Sequence, residues 1–148
     1  MRECLRCKRL VAYRTPRLYI IGPVTGFEGD NRQAFEEARA ALKADGYNCD
    51  IPHDFIKSGT EWGEAMRKSI NHLTDSKINH RTFERDASIF NGIAMLDRWE
   101  QSKGATLEHD IAEAIGMPCR PWRDYLNPAA PAAALAATPA SQPLLLPA

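Results

Sequence analysis

Two apolar segments of this chain each run through a loop that contains glycine into an amphipathic helix. Leu18–Ile21 leads into Gly22-Pro23-Val24-Thr25-Gly26 and then into a helix predicted over about Asn31–Asp45. Gly92–Asp97 leads in the same way into a helix predicted over roughly Lys103–Ile115. Short apolar runs that alternate with apolar residues at helical spacing are typical of strands buried in a parallel sheet. The chain is therefore predicted to be an α/β protein with right-handed crossovers.

The remaining segments extend this alternation. Strands are predicted over Tyr47–Ile51 and Met117–Trp122, and helices over about Thr60–Thr74 and His80–Phe90, with Thr60 as the cap of the former. The result is a parallel sheet in the order of about 2-1-3-4, in which the first and third strands are neighbours. The loops after these two strands then meet in one crevice at the carboxyl edge of the sheet, where open α/β sheets bind ligands.

The loop after the third predicted strand, together with the helix that follows, carries groups suited to a ligand. Ser102 is a good N-cap, and Gly104 leaves the first turn bare, so that a ligand can approach the backbone. Glu108 lies one turn further along the same face, and the positive end of the helix favours its ionised form. Asp97, at the end of the strand, is a second candidate carboxylate. The alternative interpretation is that these residues only cap and solvate a helix.

The loop after the first strand is rich in glycine but matches no phosphate-binding fingerprint. Gly22 and Gly26 permit tight turns, and Thr25 offers a hydroxyl group. No Gly-Lys-Ser/Thr triplet closes the loop, and the third glycine of a dinucleotide-binding motif is missing. By itself the loop predicts a ligand site without defining the ligand.

Composition excludes several classes of protein. Lysine plus arginine and aspartate plus glutamate each number 19 among 148 residues, without a basic run, so the charge pattern of a nucleic-acid-binding protein is absent. No stretch approaches the roughly 20 apolar residues of a membrane span, and we find no secretion signal. We expect a cytoplasmic protein, with its four cysteines reduced, that binds neither nucleic acid nor a membrane. Cys4 and Cys7 have the spacing of half a zinc knuckle, but the other half is not evident, so no metal is expected.

The two ends of the chain differ from its middle. Residues 1–16 are predicted to form an extension before a domain at 17–126. From residue 127 to residue 148 the sequence turns to alanine, proline and leucine, and its five prolines rule out a continuous helix. This tail is predicted to be disordered.

Several of these segments together resemble one family, the DUF4406-type domain of phages and bacteria, which is related to the nucleoside 2-deoxyribosyltransferases. The resemblance covers roughly residues 17–122. It rests on Tyr19–Gly26, Asn31, Phe35, the Gly46-Tyr47 turn, Pro52, and Trp99-Glu100-x-Ser102-Lys103-Gly104-Ala105-x-x-Glu108.

The resemblance implies a flavodoxin-like three-layer sandwich and a site for a nucleoside or nucleoside monophosphate, without a cofactor. It assigns to Glu108 the role of the nucleophile that attacks the anomeric carbon. Tyr19 and Trp99 are candidates to stack on the base, the alternative being that they are core or rim aromatics. Because related proteins assemble, a homodimer or larger oligomer is expected. The other candidate substrate-binding residues are Gly22, Pro23, Thr25, Gly26, Ser102, Lys103 and Gly104.

The chain departs from the family at the second carboxylate. Many relatives carry Met-Arg-x-Asp after a tryptophan, whereas here Trp62 precedes Met66-Arg67-Lys68-Ser69, with Ser69 in the place of the aspartate. Asp86 or Asp97 is expected to serve instead as the acid/base or ribose-binding residue. The predicted function is that of a nucleoside deoxyribosyltransferase or a nucleotide N-glycosidase. The alternatives are a catalytically inactive nucleotide-binding module and an interaction protein that docks through its tail.

Overall fold

The computed structural model describes residues 16–78 and 85–126, with only the backbone described for 76–78 and 85–88. In chain order the strands are β1 (Arg17–Ile21), β2 (Asn48–Asp50), β3 (Ser76–Ile78), β4 (Arg85–Ser88), β5 (Gly92–Met95) and β6 (Cys119–Pro121). The α-helices of these residues are α1 (Arg32–Ala44), α2 (Trp62–Leu73) and α3 (Lys103–Ala114). Short 3-10 turns cover Glu28–Asn31, Pro52–Asp54, Trp99–Gln101 and Trp122–Leu126.

Four of the strands form a parallel sheet in the order β2-β1-β5-β6. In its register, Tyr19 of β1 pairs with Asp50 of β2, and Ile20 pairs with Ala94 of β5. Among the described strands, β3 and β4 pair with each other and not with the main sheet. When the four strands of the main sheet are numbered in chain order, they follow the predicted order 2-1-3-4. The architecture is consistent with a flavodoxin-like sandwich.

The sheet is buried on both faces, as expected of parallel strands covered by crossover helices. Leu18 and Ile20 face one layer, where they pack with Phe35 and Leu42 of α1. Tyr19 and the alternate residues of β1 face the other layer, which contains Ala105 of α3. This alternation along β1 accounts for its uninterrupted apolar sequence and places the first strand at the centre of the molecule.

The helix predicted over His80–Phe90 is wrong where the structure describes this segment. Arg85–Ser88 is the strand β4, antiparallel to Ser76–Ile78, and residues 79–84 lie outside the described part. A few apolar residues in so short a window fit a helix or a strand equally well, and cross-strand hydrogen bonds decide between them. Phe90 belongs to the core instead, with its ring centroid 5.4 Å from that of Tyr19.

The start of α2 also differs from the prediction. Its cap is Glu61, whose carboxylate accepts hydrogen bonds from the amides of Gly63 at 2.8 Å and Glu64 at 3.0 Å. The hydroxyl of Thr60, the predicted cap, donates to the carbonyl of Lys57 at 2.6 Å. At α3, by contrast, the predicted cap Ser102 is confirmed, since its hydroxyl accepts from the amide of Ala105 at 3.2 Å.

Both predicted terminal segments, apart from Pro16, lie outside the described residues. Among the helices of 16–78 and 85–126, none is both long and apolar enough to cross a lipid bilayer.

Candidate functional site

A cleft with a volume of about 390 Å³ opens at the carboxyl edge of the sheet. The loop after β1 and the start of α3, the two segments singled out in the sequence, both line it. The face of α2 and the loop before it complete the walls. The lining residues used below are Gly22, Thr25, Gly26, Asp30, His53, Lys57, Trp62, Met66, Ser69, Ser102, Gly104 and Glu108.

At two glycines of the cleft, the absence of a side chain lets a neighbouring element lie close to the backbone. A side chain at Gly22 would place its Cβ 2.8 Å from the Cβ of Leu96, so the strand ends could not lie this close together. A Cβ at Gly104 would lie 3.1 Å from the Sδ of Met66, where α3 meets α2. Both glycines therefore set the shape of the cleft by letting other elements approach their backbone.

Glu108 is the buried carboxyl group of the cleft, with 5% of its surface exposed. Its Oε1 accepts a hydrogen bond from the hydroxyl of Ser69 on α2. The Ser69 Oγ also lies 2.7 Å from the hydroxyl of Tyr19. Since the single Ser69 proton goes to Glu108, the Tyr19 hydroxyl donates to Ser69. The three side chains form a directed chain of hydrogen bonds that ends on one oxygen of Glu108.

Burial controls the protonation of Glu108. Loss of solvent raises the pKa of this carboxyl to about 7, and the hydrogen bond from Ser69 only partly opposes the rise. Burial therefore outweighs the expected effect of the helix N-terminus, which was to favour the ionised form. Glu108 is in the second turn of α3, and the effect of a helix terminus fades beyond the first turn.

Ser69 is a site residue that the periodicity of α2 did not reveal. The apolar residues of this helix include Ile70, but its buried residues are Met66, Ser69 and Leu73. Ser69 lies three residues after Met66 and four before Leu73, on the buried face of the helix. Its hydroxyl group is therefore in the interior, where a polar group needs a partner. The signal that pointed to position 69 was its place in the family motif.

Several predicted site residues do not line the cleft. Tyr19 is fully buried and reaches Glu108 only through Ser69, so a base cannot stack on it in this conformation. The indole of Trp99 packs against the ring of His109, with centroids 4.4 Å apart. Pro23 is buried, and its carbonyl accepts from the Asn31 side chain at 2.8 Å.

Of the two candidates for a second carboxylate, the structure describes the side chain of Asp97 but not that of Asp86. Asp97 is not among the residues that line the cleft; its side chain is 73% exposed and pairs with Arg123 at 2.8 Å. The end of β5 points this residue towards solvent, and we no longer assign it to the site. The backbone of Asp86 is part of β4, but its side chain lies outside the description.

Lys103 and Trp62 meet where α3 and α2 begin. The ammonium group of Lys103 lies 4.4 Å from the centroid of the Trp62 ring, a cation–π contact. Trp62, which lines the cleft, is 42% exposed. Lys103 is not itself among the residues that line the cleft, and its positive charge lies over the ring of Trp62, which is.

The loop before α2 adds residues that the sequence did not assign to the site. His53 Nε2 donates to the carbonyl of Asp30 at 2.8 Å, which joins this loop to the one after β1. Lys57 places a cation at the cleft. Neither residue belongs to a recognisable motif, and the fold places both along the cleft that Glu108 lines.

The described residues contain no group of three or more side chains placed to hold a metal ion. Cys49 and Cys119 are partly buried free thiols, and burial raises their pKa values to about 12 and about 11. Such thiols stay protonated and are unreactive at neutral pH. The predicted Cys4 and Cys7 pair lies outside the described part of the chain.

Comparison with known proteins identifies the family of this chain. No curated protein matches the sequence. The family described as "Domain of unknown function (DUF4406)" matches residues 16–120, a range that begins just before β1 and ends within β6. That range includes every element that lines the cleft, and we conclude that this chain belongs to the DUF4406 family.

Proposed function

We propose that this protein cleaves the N-glycosidic bond of a deoxynucleoside or nucleotide, with Glu108 as the nucleophile. The observation that carries the proposal is the position of Glu108, a buried carboxyl group that lines a cleft between a glycine-rich loop and the start of a helix. The substrate class is suggested by the resemblance of these two segments to a domain family that we expect to be related to the nucleoside 2-deoxyribosyltransferases.

In the proposed reaction a Glu108 carboxylate oxygen attacks the anomeric carbon. The new C–O bond forms as the C–N bond to the base breaks, and the base leaves with the bonding electrons and gains a proton. Water or a second base then attacks the same carbon and releases Glu108. This double displacement follows the logic of retaining sugar hydrolysis.

The properties of the cleft support this chemistry. A volume of about 390 Å³ lies in the usual range of roughly 300–1,000 Å³ for small-molecule sites. A pKa of about 7 leaves a large fraction of Glu108 ionised at neutral pH. The positive charge that develops on the sugar in the transition state further favours the carboxylate.

The start of α3 is suited to the phosphate of a nucleotide. The Ser102 hydroxyl caps the amide of Ala105, and the described hydrogen bonds leave the amide of Gly104 free at the cleft. Amides at a helix N-terminus bind anions, and Lys103 adds positive charge nearby. We propose that a nucleoside monophosphate would place its phosphate here.

Base release is the direct test. The protein is incubated with a panel of deoxynucleosides and their monophosphates, and mass spectrometry is used to detect a sugar adduct on the protein. Glu108→Gln keeps the size of the side chain but removes the nucleophile, so base release is expected to fall by several orders of magnitude while ligand affinity changes little.

Glu113→Gln is the matched control, because Glu113 is on the same helix but its side chain is 63% exposed. It is expected to release base at the rate of the parent protein. Equal rates for the Glu108 variant and the parent would refute the nucleophile. If both proteins bind a nucleotide but neither releases base, the protein is a binding module.

A further inference from the structure

A second acidic residue lines the cleft, and the sequence did not suggest it. Among the described residues of the lining, Asp30 and Glu108 are the acidic ones. Asp30 comes from the loop between β1 and α1, whereas Glu108 comes from α3. The fold thus places two acidic residues that are far apart in the sequence along the same cleft.

The backbone at Asp30 is held in a conformation that few side chains adopt. Its φ is 55° and that of Asn31 is 57°, both in the left-handed region. Two bonds of 2.8 Å hold this turn: His53 Nε2 donates to the Asp30 carbonyl, and the Asn31 side chain donates to the Pro23 carbonyl. Left-handed residues other than glycine cluster at functional sites, where surrounding contacts maintain them.

The carboxylate of Asp30 is free within the described part of the chain. Other aspartates near the sheet edge are occupied: Asp50 by Arg17 and His72, and Asp54 by Arg39. No described side chain pairs with Asp30 in this way, although the residue is partly buried at the cleft. A carboxylate that stabilises the fold would be expected to have such a partner, whereas one that meets a ligand is left open.

We propose that Asp30 is the acid/base residue of the reaction, in the role that Ser69 cannot fill. The inference rests on the proposed function, because it needs Glu108 as the nucleophile. As a Glu108 oxygen bonds to the anomeric carbon and the C–N bond breaks, the protonated Asp30 carboxyl gives its proton to the departing base. The Asp30 carboxylate then takes a proton from the incoming water or second base, which restores both groups.

The test compares two leaving groups in the Asp30→Asn variant. Asparagine also tolerates the left-handed conformation, so the fold is retained while the acidic proton is lost. First-turnover base release from deoxyguanosine is expected to fall by about 10²- to 10⁴-fold. With 7-methyldeoxyguanosine, whose cationic base leaves as a neutral molecule without a proton, the first turnover is expected to slow less than about tenfold.

The control is Asp45→Asn, which removes an exposed carboxylate just after α1 and is expected to match the parent on both substrates. Thermal melting of all proteins checks that they are folded. If Asp30→Asn matches the parent on deoxyguanosine, or slows both substrates equally, Asp30 is not the acid, although the proposed function stands. If the parent releases no base from either substrate, the proposed function and this inference both fail.

Discussion

Glu108→Gln is predicted to change how the stability of the protein depends on pH. The folded protein raises the pKa of this carboxyl from 4.5 to about 7 by burying it, so folding favours its protonated form. At about 1.4 kcal/mol for each pH unit, this rise amounts to about 3 kcal/mol. The contribution of the protonated carboxyl to the free energy of unfolding is complete below pH 4.5. It is lost as the pH rises from 4.5 through about 7. Glutamine resembles the protonated acid and does not titrate.

Urea unfolding at a series of pH values from 4 to 9 would measure this effect. The free energy of unfolding of the variant minus that of the parent should rise by about 3 kcal/mol between pH 4.5 and pH 8 and stay constant above. Taking the difference cancels the groups whose pKa values are lowered in the fold, such as Asp50. Glu113→Gln should give a flat difference. A flat difference for Glu108→Gln would refute the argument that burial sets the protonation of this group.

Three other predictions follow from the site and its surroundings. With 7-methyldeoxyguanosine, whose base leaves without a proton, kcat/KM should rise with pH through a midpoint near 7. The hydrogen bond from Ser69 lowers the pKa of Glu108, so its loss in Ser69→Ala should move the midpoint upward, and an unmoved midpoint in the pH–rate profile would contradict this. Ser102→Ala should weaken binding of a deoxynucleoside monophosphate more than binding of the deoxynucleoside, and equal losses by calorimetry would show that the helix start does not bind phosphate. A homodimer or larger species is expected in sedimentation at tens of micromolar protein. The exposed apolar side chains of Leu107 on α3 and of Ile115, which is 53% exposed, would be covered by a second copy, and a monomer would refute this prediction.

The sequence predicted the parts of the fold that depend on regular spacing. The strand at Leu18–Ile21 and the helix that begins after Ser102 were readable because burial and capping are recorded in consecutive residues. The pair β3 and β4 was not readable. Its strands have three and four residues, and their pairing is a contact between segments that no local pattern encodes.

The same limit applies to the site. Glu108 and the glycine-rich loop belong to motifs, and the fold brings them to one cleft as the order of the sheet implied. Asp30 and His53 come from short 3-10 turns and Lys57 from a loop, where neither period nor spacing distinguishes a cleft residue from a solvated one. Their roles depend on where the chain turns, which is decided by long-range contacts such as the bond from His53 to Asp30.

The chemistry at position 108 argues for catalysis rather than binding alone. An ionised Glu108 costs the folded protein about 3 kcal/mol at neutral pH and above, and a glutamine there would avoid that cost while keeping a hydrogen bond from Ser69. A module that binds a nucleotide through hydrogen bonds alone could use a neutral side chain at this position, which would not repel an anionic ligand. A nucleophile, however, must be a carboxylate held at a fixed angle and freed from water, and the chain from Tyr19 through Ser69 holds one of its oxygens. Residues that lower stability in this way are typical of sites where function sets the requirement.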